Sequence, residues 1–210
     1  MRLLTEAQIV EGRRIRTYTR EGREIHVRDD ADTALRIIDL FTGEERPARK
    51  LDRMVALLFT DPVELQGISD FAGLLAEVAW NEARIDMDGS HAAETGGQRV
   101  LDWEQDCDVI QASRLRCYGV AWDEARYRFS YEQLIALIGM VDHQTPLGQA
   151  LYYRTAKPPK PDKYNAEARR EFAERRRYWA IKPKTAEDRY AAMSKATDKA
   201  FEAILSRFEG

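Results

Sequence analysis

Three histidines, two cysteines and a run of four acids are the side chains best suited to chemistry in this 210-residue chain, and their spacing decides what they could do. His26, His91 and His143 are far apart, and none has a second His or Cys at the short spacing of a zinc motif. Cys107 and Cys117 are ten apart with no CxxC pair. They build neither a disulfide framework nor a zinc knuckle, and are expected as reduced thiols. Asp102, Glu104, Asp106 and Asp108 alternate as in a calcium loop, yet the mid-loop glycine and closing glutamate are missing. On a helix, residues two apart diverge by about 200°, so the four carboxylates would scatter. No phosphate-cradling GxxxxGK[ST], no GxGxxG after a strand and no GxSxG elbow occurs. Among 36 Asp and Glu, no two are singled out as an acid and base pair with diverging pKa values. The expectation is a chain that is not an enzyme and has no catalytic residue, cofactor or metal.

The charge is unevenly placed. Residues 61–110 hold twelve Asp and Glu against Arg84 and Arg99, whereas residues 160–189 hold ten Lys and Arg against six acids. Arg169, Arg170, Arg175, Arg176 and Arg177 form a candidate basic patch, interleaved with Tyr164, Phe172, Tyr178 and Trp179, a mixture able to line a phosphate groove. Against nucleic acid as a partner stand the net charge of -3 and the acidic stretch, which would repel a phosphate backbone. A solvated helix face is the simpler expectation, with Glu167, Glu171 and Glu174 at pairing distance from Arg170, Arg175 and Arg177.

The elements carrying these residues read as mainly α: a short N-terminal β-hairpin followed by two small helical bundles. Ile15, Thr17, Ile25 and Val27 around Glu21-Gly22 predict the hairpin. Asp30 or Asp32 can cap a helix through Ala34, Leu35, Ile38, Leu40 and Phe41, stopped by Gly43. A second helix starts at Pro47 and ends before Asp61-Pro62; a third, capped by Ser69, covers FAGLLAEVAWNEAR. These make a first domain over residues 1–86. Residues 87–98, glycine-rich and aperiodic, read as a linker, and 99–210 as a C-terminal helical domain.

In that second half, a helix through Trp103, Cys107, Ile110, Arg114 and Cys117 stops at Gly119, and another carries Tyr131, Leu134, Ile135, Leu137 and Ile138. Pro146 opens PLGQALYYRT, KPPKP interrupts, and charged helices are expected over 162–182 and 185–208. The last presents Tyr190, Met193, Phe201, Ile204 and Phe208 on one stripe. No run of about 18 apolar residues could span a membrane. The opening MRLLTEAQIVEGRRIRTY does not read as a secretory signal, so a cytosolic setting is expected.

Read in order, several segments resemble the phage gene-product-fifteen family of siphophage and prophage tail regions. They are DADTALRIIDLF (Asp30 to Phe41), MVALLF (Met54 to Phe59), LDWEQDCDVIQASRLRCYGV (Leu101 to Val120), FSYEQLIALIGM (Phe129 to Met140), YYRT (Tyr152 to Thr155) and RRRYWAIKP (Arg175 to Pro183). The chain departs from that pattern at Phe129 and Tyr131, where a paired tryptophan is usual, and at Arg114, where an aromatic is usual.

The resemblance implies long-tail assembly in the host bacterial cytoplasm, as a non-catalytic chaperone or scaffold that binds the tape measure protein. The tail tube protein is a further candidate partner. It carries over no catalytic residue. A structural tail or head–tail connector component is the second reading, and a nucleic-acid-binding accessory protein the third. Candidate partner-binding residues are Trp103, Tyr118 and Trp122 in the matched segment, and Tyr190, Met193, Phe201, Ile204 and Phe208 at the end. For the terminal stripe, internal packing or self-association is the alternative.

Overall fold

Two Glu-Gly dipeptides shape the start of the chain. Glu11 and Gly12 lie at φ 50° and 79°, Glu21 and Gly22 at 52° and 75°. Positive φ at both central residues is what a two-residue type I′ hairpin turn requires, and glycine meets it without a Cβ penalty. The result is an antiparallel meander of β1 (Gln8–Val10), β2 (Arg13–Arg20) and β3 (Arg23–Arg28), in that spatial order. The sheet thus has one strand more than the expected hairpin, because β1 is only three residues long and shows no alternation to read. Register pairs Arg16 with Val27, Thr17 with His26 and Tyr18 with Ile25. Period two then places Arg14, Arg16, Tyr18, Ile25 and Val27 on the inner face, and Arg13, Ile15, Thr17, His26 and Arg28 on the outer one.

The computed structural model describes residues 7–42, 46–91 and 100–182, and beyond the sheet it is mostly helical. The expected Gly43 stop and the terminal stripe Tyr190, Met193, Phe201, Ile204 and Phe208 lie outside the described residues. Asp30 caps α1 (Ala31–Thr42), its carboxylate accepting the Thr33 amide at 2.8 Å. α2 (Pro47–Leu58) opens on proline and ends before the Asp61-Pro62 break. Phe59 leaves the helix to bridge Val27, and the Arg28 guanidinium donates to the Ala56, Leu57 and Phe59 carbonyls left open at the helix end. After a 3₁₀ turn at Pro62–Leu65 comes α3 (Phe71–Ala83). Its cap is Asp70 rather than Ser69: Asp70 Oδ1 accepts the Gly73 amide at 3.0 Å, while Ser69 donates its amide and hydroxyl to Glu21.

α4 (Cys107–Tyr118) starts later than its apolar spacing suggests, because Asp102 folds the preceding residues into a turn by accepting the Glu104 and Gln105 amides at 3.0 Å. Asp102 and Asp106 are therefore buried ahead of the helix instead of standing along it. Gly119, at φ 67°, ends α4 as expected. α5 (Trp122–Arg128) was not legible as a helix, being seven residues without an apolar period. A capping box between Ser130 and Gln133 opens α6 (Tyr131–Gly139), and α7 (Pro146–Thr155) and α8 (Ala166–Trp179) follow.

Packing divides the chain into two compact units, Met1–Arg99 with Asp106–Gly148 and Val100–Gln105 with Gln149–Gly210. In the first unit, Ile25, Val27, Ile37, Met54, Leu58, Leu74 and Val78 form the core. α5 and α6 join it through the Ala31 amide, which donates to the Phe129 carbonyl at 2.8 Å, and through Arg126 beside Asp32 at 3.7 Å. The start of the expected linker is folded too. Asp86 accepts the Gly89 and His91 amides, and the His91 ring stacks on Trp80 with centroids 3.8 Å apart. In the second unit, Arg154 donates to the Trp179 carbonyl at 2.6 Å and the Val100 carbonyl at 2.9 Å, and Phe172 is buried against Tyr152 and Tyr153. Among the described residues, no helix is long and apolar enough to cross a membrane.

Candidate functional site

Of the expected partner-binding residues, Tyr118 and Trp122 fall in the first unit and Trp103 in the second, all half-buried. Tyr118, at the end of α4, donates its hydroxyl to the Leu137 carbonyl of α6 at 2.9 Å. This bond ties the C-terminal ends of the two helices together. Leu115 lies one turn before Tyr118 and Met140 one turn after Leu137, and they are 54% and 77% exposed. Among the described residues Met140, the C-cap of α6, is the most exposed of the large aliphatic side chains, and Ile135 within α6 is exposed as well. The pair of helix ends thus forms an apolar shoulder around a half-buried tyrosine. Leu115 had a sequence signal that the periodic reading passed over, since it stands off the stripe through Ile110, Arg114 and Cys117.

The basic patch is exposed throughout. Arg169, Arg170, Arg176 and Arg177 share one face of α8 with Ala166 and Ala173, while Phe172 and Trp179, seven apart, share another. Glu171 pairs with Arg175 at 2.7 Å and Glu174 with Arg170 at 3.2 Å, as helical spacing predicts. Arg175 also stands over the Tyr153 ring at 5.8 Å, on the packed side of the helix. Arg169, Arg176 and Arg177 make no ion pair among the described residues.

Sequence reasoning missed a charge cluster on the inner face of the sheet. Asp29, 2% exposed, accepts from Arg14 Nε at 2.8 Å and from Arg16 Nη2 at 3.0 Å. Beside it, Glu82 of α3 is 4% exposed, accepts the Tyr18 hydroxyl at 2.5 Å and has Arg16 Nε at 3.4 Å. Burial foremost, and then the neighbouring Asp29 carboxylate, push the Glu82 pKa up to about 8 against the pull of Arg16 and Tyr18. Burial and Glu82 likewise push the Tyr18 phenol up. Asp29 Oδ1 has no hydrogen-bond partner, and a hydrogen bond between the Glu82 and Asp29 carboxyl groups, which needs a proton on one of them, contributes to the upward shift of Glu82. A signal existed here too, because Glu82 recurs on the same face as Leu75, Val78 and Ala79.

Such a carboxyl–carboxylate pair has the electronic form of an acid and base couple. It is enclosed by the sheet, however, whereas the described groove of about 880 Å³ lies on the outer face, lined by Ile15, Thr17, Glu24, His26, Arg28 and Thr60 among others. His26 is held there by Glu64, which accepts its amide and meets Nδ1, both at 2.7 Å. His91 stacks on Trp80, and His143 is exposed in the turn before α7. Among the described residues, no three His, Cys, Asp or Glu converge as a metal site needs. Compared with known proteins, the chain matches no family model, no curated protein and no solved structure.

Proposed function

We propose that this chain is a non-catalytic tail assembly chaperone or scaffold that holds a phage tape measure protein in the host bacterial cytoplasm until the tube assembles around it. The observation that carries the reading is the apolar shoulder of Leu115, Tyr118 and Met140. It falls inside two of the segments that carry the resemblance to phage tail-region proteins, Leu101 to Val120, the stronger of them, and Phe129 to Met140, which follows it in register. A tape measure protein is a long helical chain whose apolar stripes aggregate when exposed. A holder for it needs apolar helix surface that its own fold leaves uncovered, and a helix laid against such a surface buries anchors at i, i+3 and i+4 spacing.

Co-expression with a tape measure protein, followed by affinity capture, tests this. The wild-type chain is expected to capture it. Leu115→Asp with Met140→Asp is expected to weaken capture at least tenfold, since each anchor contributes about 1.5–3 kcal/mol when fully buried, while leaving circular dichroism unchanged. Equal capture by the double variant refutes the shoulder as the surface, and no capture by the wild type refutes the holding role. If the chain is instead found stoichiometrically in purified particles, it is a structural tail or connector component.

A further inference from the structure

Arg114 of α4 is the most anomalous charge in the first unit. It is 1% exposed and stands first by volume among the fully buried side chains of the described residues. Its Nη2 donates to the Val120 carbonyl at 3.3 Å, a long bond, and its Nε and Nη1 have no partner. The other buried arginines are better served: Arg14 holds Asp29 at 2.8 Å, and Arg154 donates to two carbonyls at 2.6 and 2.9 Å. One face of the Arg114 guanidinium is covered by the Trp122 ring, 5.1 Å from Cζ to the ring centroid.

A cation withdrawn from water without a counter-charge is strongly destabilising, because the lost hydration is not replaced. Lysine would escape by shedding its proton, but guanidinium keeps its charge at any ordinary pH. Burial lowers the Arg114 pKa, with no neighbouring carboxylate acting to restore it. The charge is therefore held in place and lacks only its anion.

We propose that Arg114 is a receptor for an oxyanion, a carboxylate or a tetrahedral phosphate or sulfate, which reaches the guanidinium when the Trp122 ring moves off it. The chemistry is that of planar guanidinium recognition. A parallel fork takes Nη2 together with Nε or Nη1, so the anion meets one open N–H group and competes with the long Val120 bond for the other, through charge-assisted hydrogen bonds roughly twice as strong as neutral ones. Trp122 is suited to give way. It is half-buried and opens the seven-residue α5, joined to α4 only through Gly119, Val120 and Ala121. The aromatic ring shields the cation when the anion is absent and can line the anion's pocket when it is present. The inference stands independently of the tape measure reading, since it concerns Arg114 and Trp122 rather than the exposed shoulder.

The test is thermal unfolding and tryptophan fluorescence of the full chain, titrated with sodium sulfate, inorganic phosphate, acetate and a short glutamate-containing peptide at constant ionic strength. The expected result is a saturable rise of about 5 °C at millimolar anion, with a matching fluorescence change. Both should be lost in Arg114→Met and kept in Arg170→Ala. Arg114→Met should itself melt higher than wild type without anion, because it removes an unpaired buried charge. Arg114→Lys, which keeps the charge without the fork, should respond at least tenfold more weakly. A response to sulfate and phosphate assigns a free tetrahedral anion; a response to acetate and the peptide alone assigns a carboxyl group of a protein partner. An identical response in Arg114→Met, no saturable response in wild type, or a loss of melting temperature in anion-free Arg114→Met would overturn the proposal.

Discussion

Replacing Glu82 by glutamine should make this protein more stable at neutral pH, although it removes a buried side chain's capacity to ionise. Glu82 carries its proton in the folded state up to about pH 8, against an ordinary value of 4.5 in the unfolded chain. Between those two values the folded state binds one proton more than the unfolded state, so stability falls as pH rises. The slope is about 1.4 kcal/mol per pH unit. At pH 7 the accumulated loss is on the order of 3 kcal/mol relative to pH 4.5. A glutamine amide at the same place donates to the unpartnered Asp29 Oδ1 and accepts from the Tyr18 hydroxyl, without binding or releasing a proton. Urea unfolding of wild type and Glu82→Gln from pH 5 to 8 gives the comparison. The expected outcome is near-equal stability at pH 5, and at pH 7 an advantage for the variant of about 2–3 kcal/mol. Parallel pH profiles would show that Glu82 takes up no proton on folding, and a less stable variant at pH 7 would show that the carboxylate is the form the fold needs.

Other substitutions test separate parts of the account. Gly148→Ala places a Cβ 2.3 Å from the Asp142 carbonyl oxygen, and chemical denaturation should show a loss of at least about 2 kcal/mol, as overpacking against backbone does. Ser130→Ala removes the α6 capping box and should cost about 1 kcal/mol in the same assay. Arg28→Met leaves the α2 end carbonyls of Ala56, Leu57 and Phe59 without their shared donor. It should destabilise by about 1–3 kcal/mol, with hydrogen exchange accelerated first at the last turn of α2. Arg169→Ala, Arg176→Ala and Arg177→Ala, on a solvated face, should each leave the melting temperature within about a degree of wild type.

The helices that the sequence revealed are those whose apolar period runs for three turns or carries proline and glycine punctuation. α1 is marked by Asp30 or Asp32, of which Asp30 is the cap, α2 by Pro47, the end of α4 by Gly119 and α7 by Pro146. The elements that escaped are short: β1 has three residues and α5 seven, too few for a period to repeat. Where two polar residues adjoin, the cap expected at Ser69 falls instead to Asp70, because Glu21 takes the serine. The two compact units are a matter of tertiary packing. They depend on long-range contacts such as the Ala31 amide with the Phe129 carbonyl, which leave no trace in local composition. At the candidate site, Tyr118 stands in a segment that carries the resemblance, whereas Leu115 and Met140 are marked by exposure, which only packing decides. Arg114 departs from the resemblance pattern in its type, but that it is buried without a counter-charge follows from the surroundings alone.

The measurement that bears most directly on the central reading is the soluble fraction of a tape measure protein synthesised in vitro with and without this chain. The account predicts a soluble complex when the chain is present, aggregation when it is absent, and aggregation again when the chain carries Leu115→Asp and Met140→Asp. A tape measure protein that stays soluble alone, or aggregates equally in the presence of the folded wild-type chain, would contradict it.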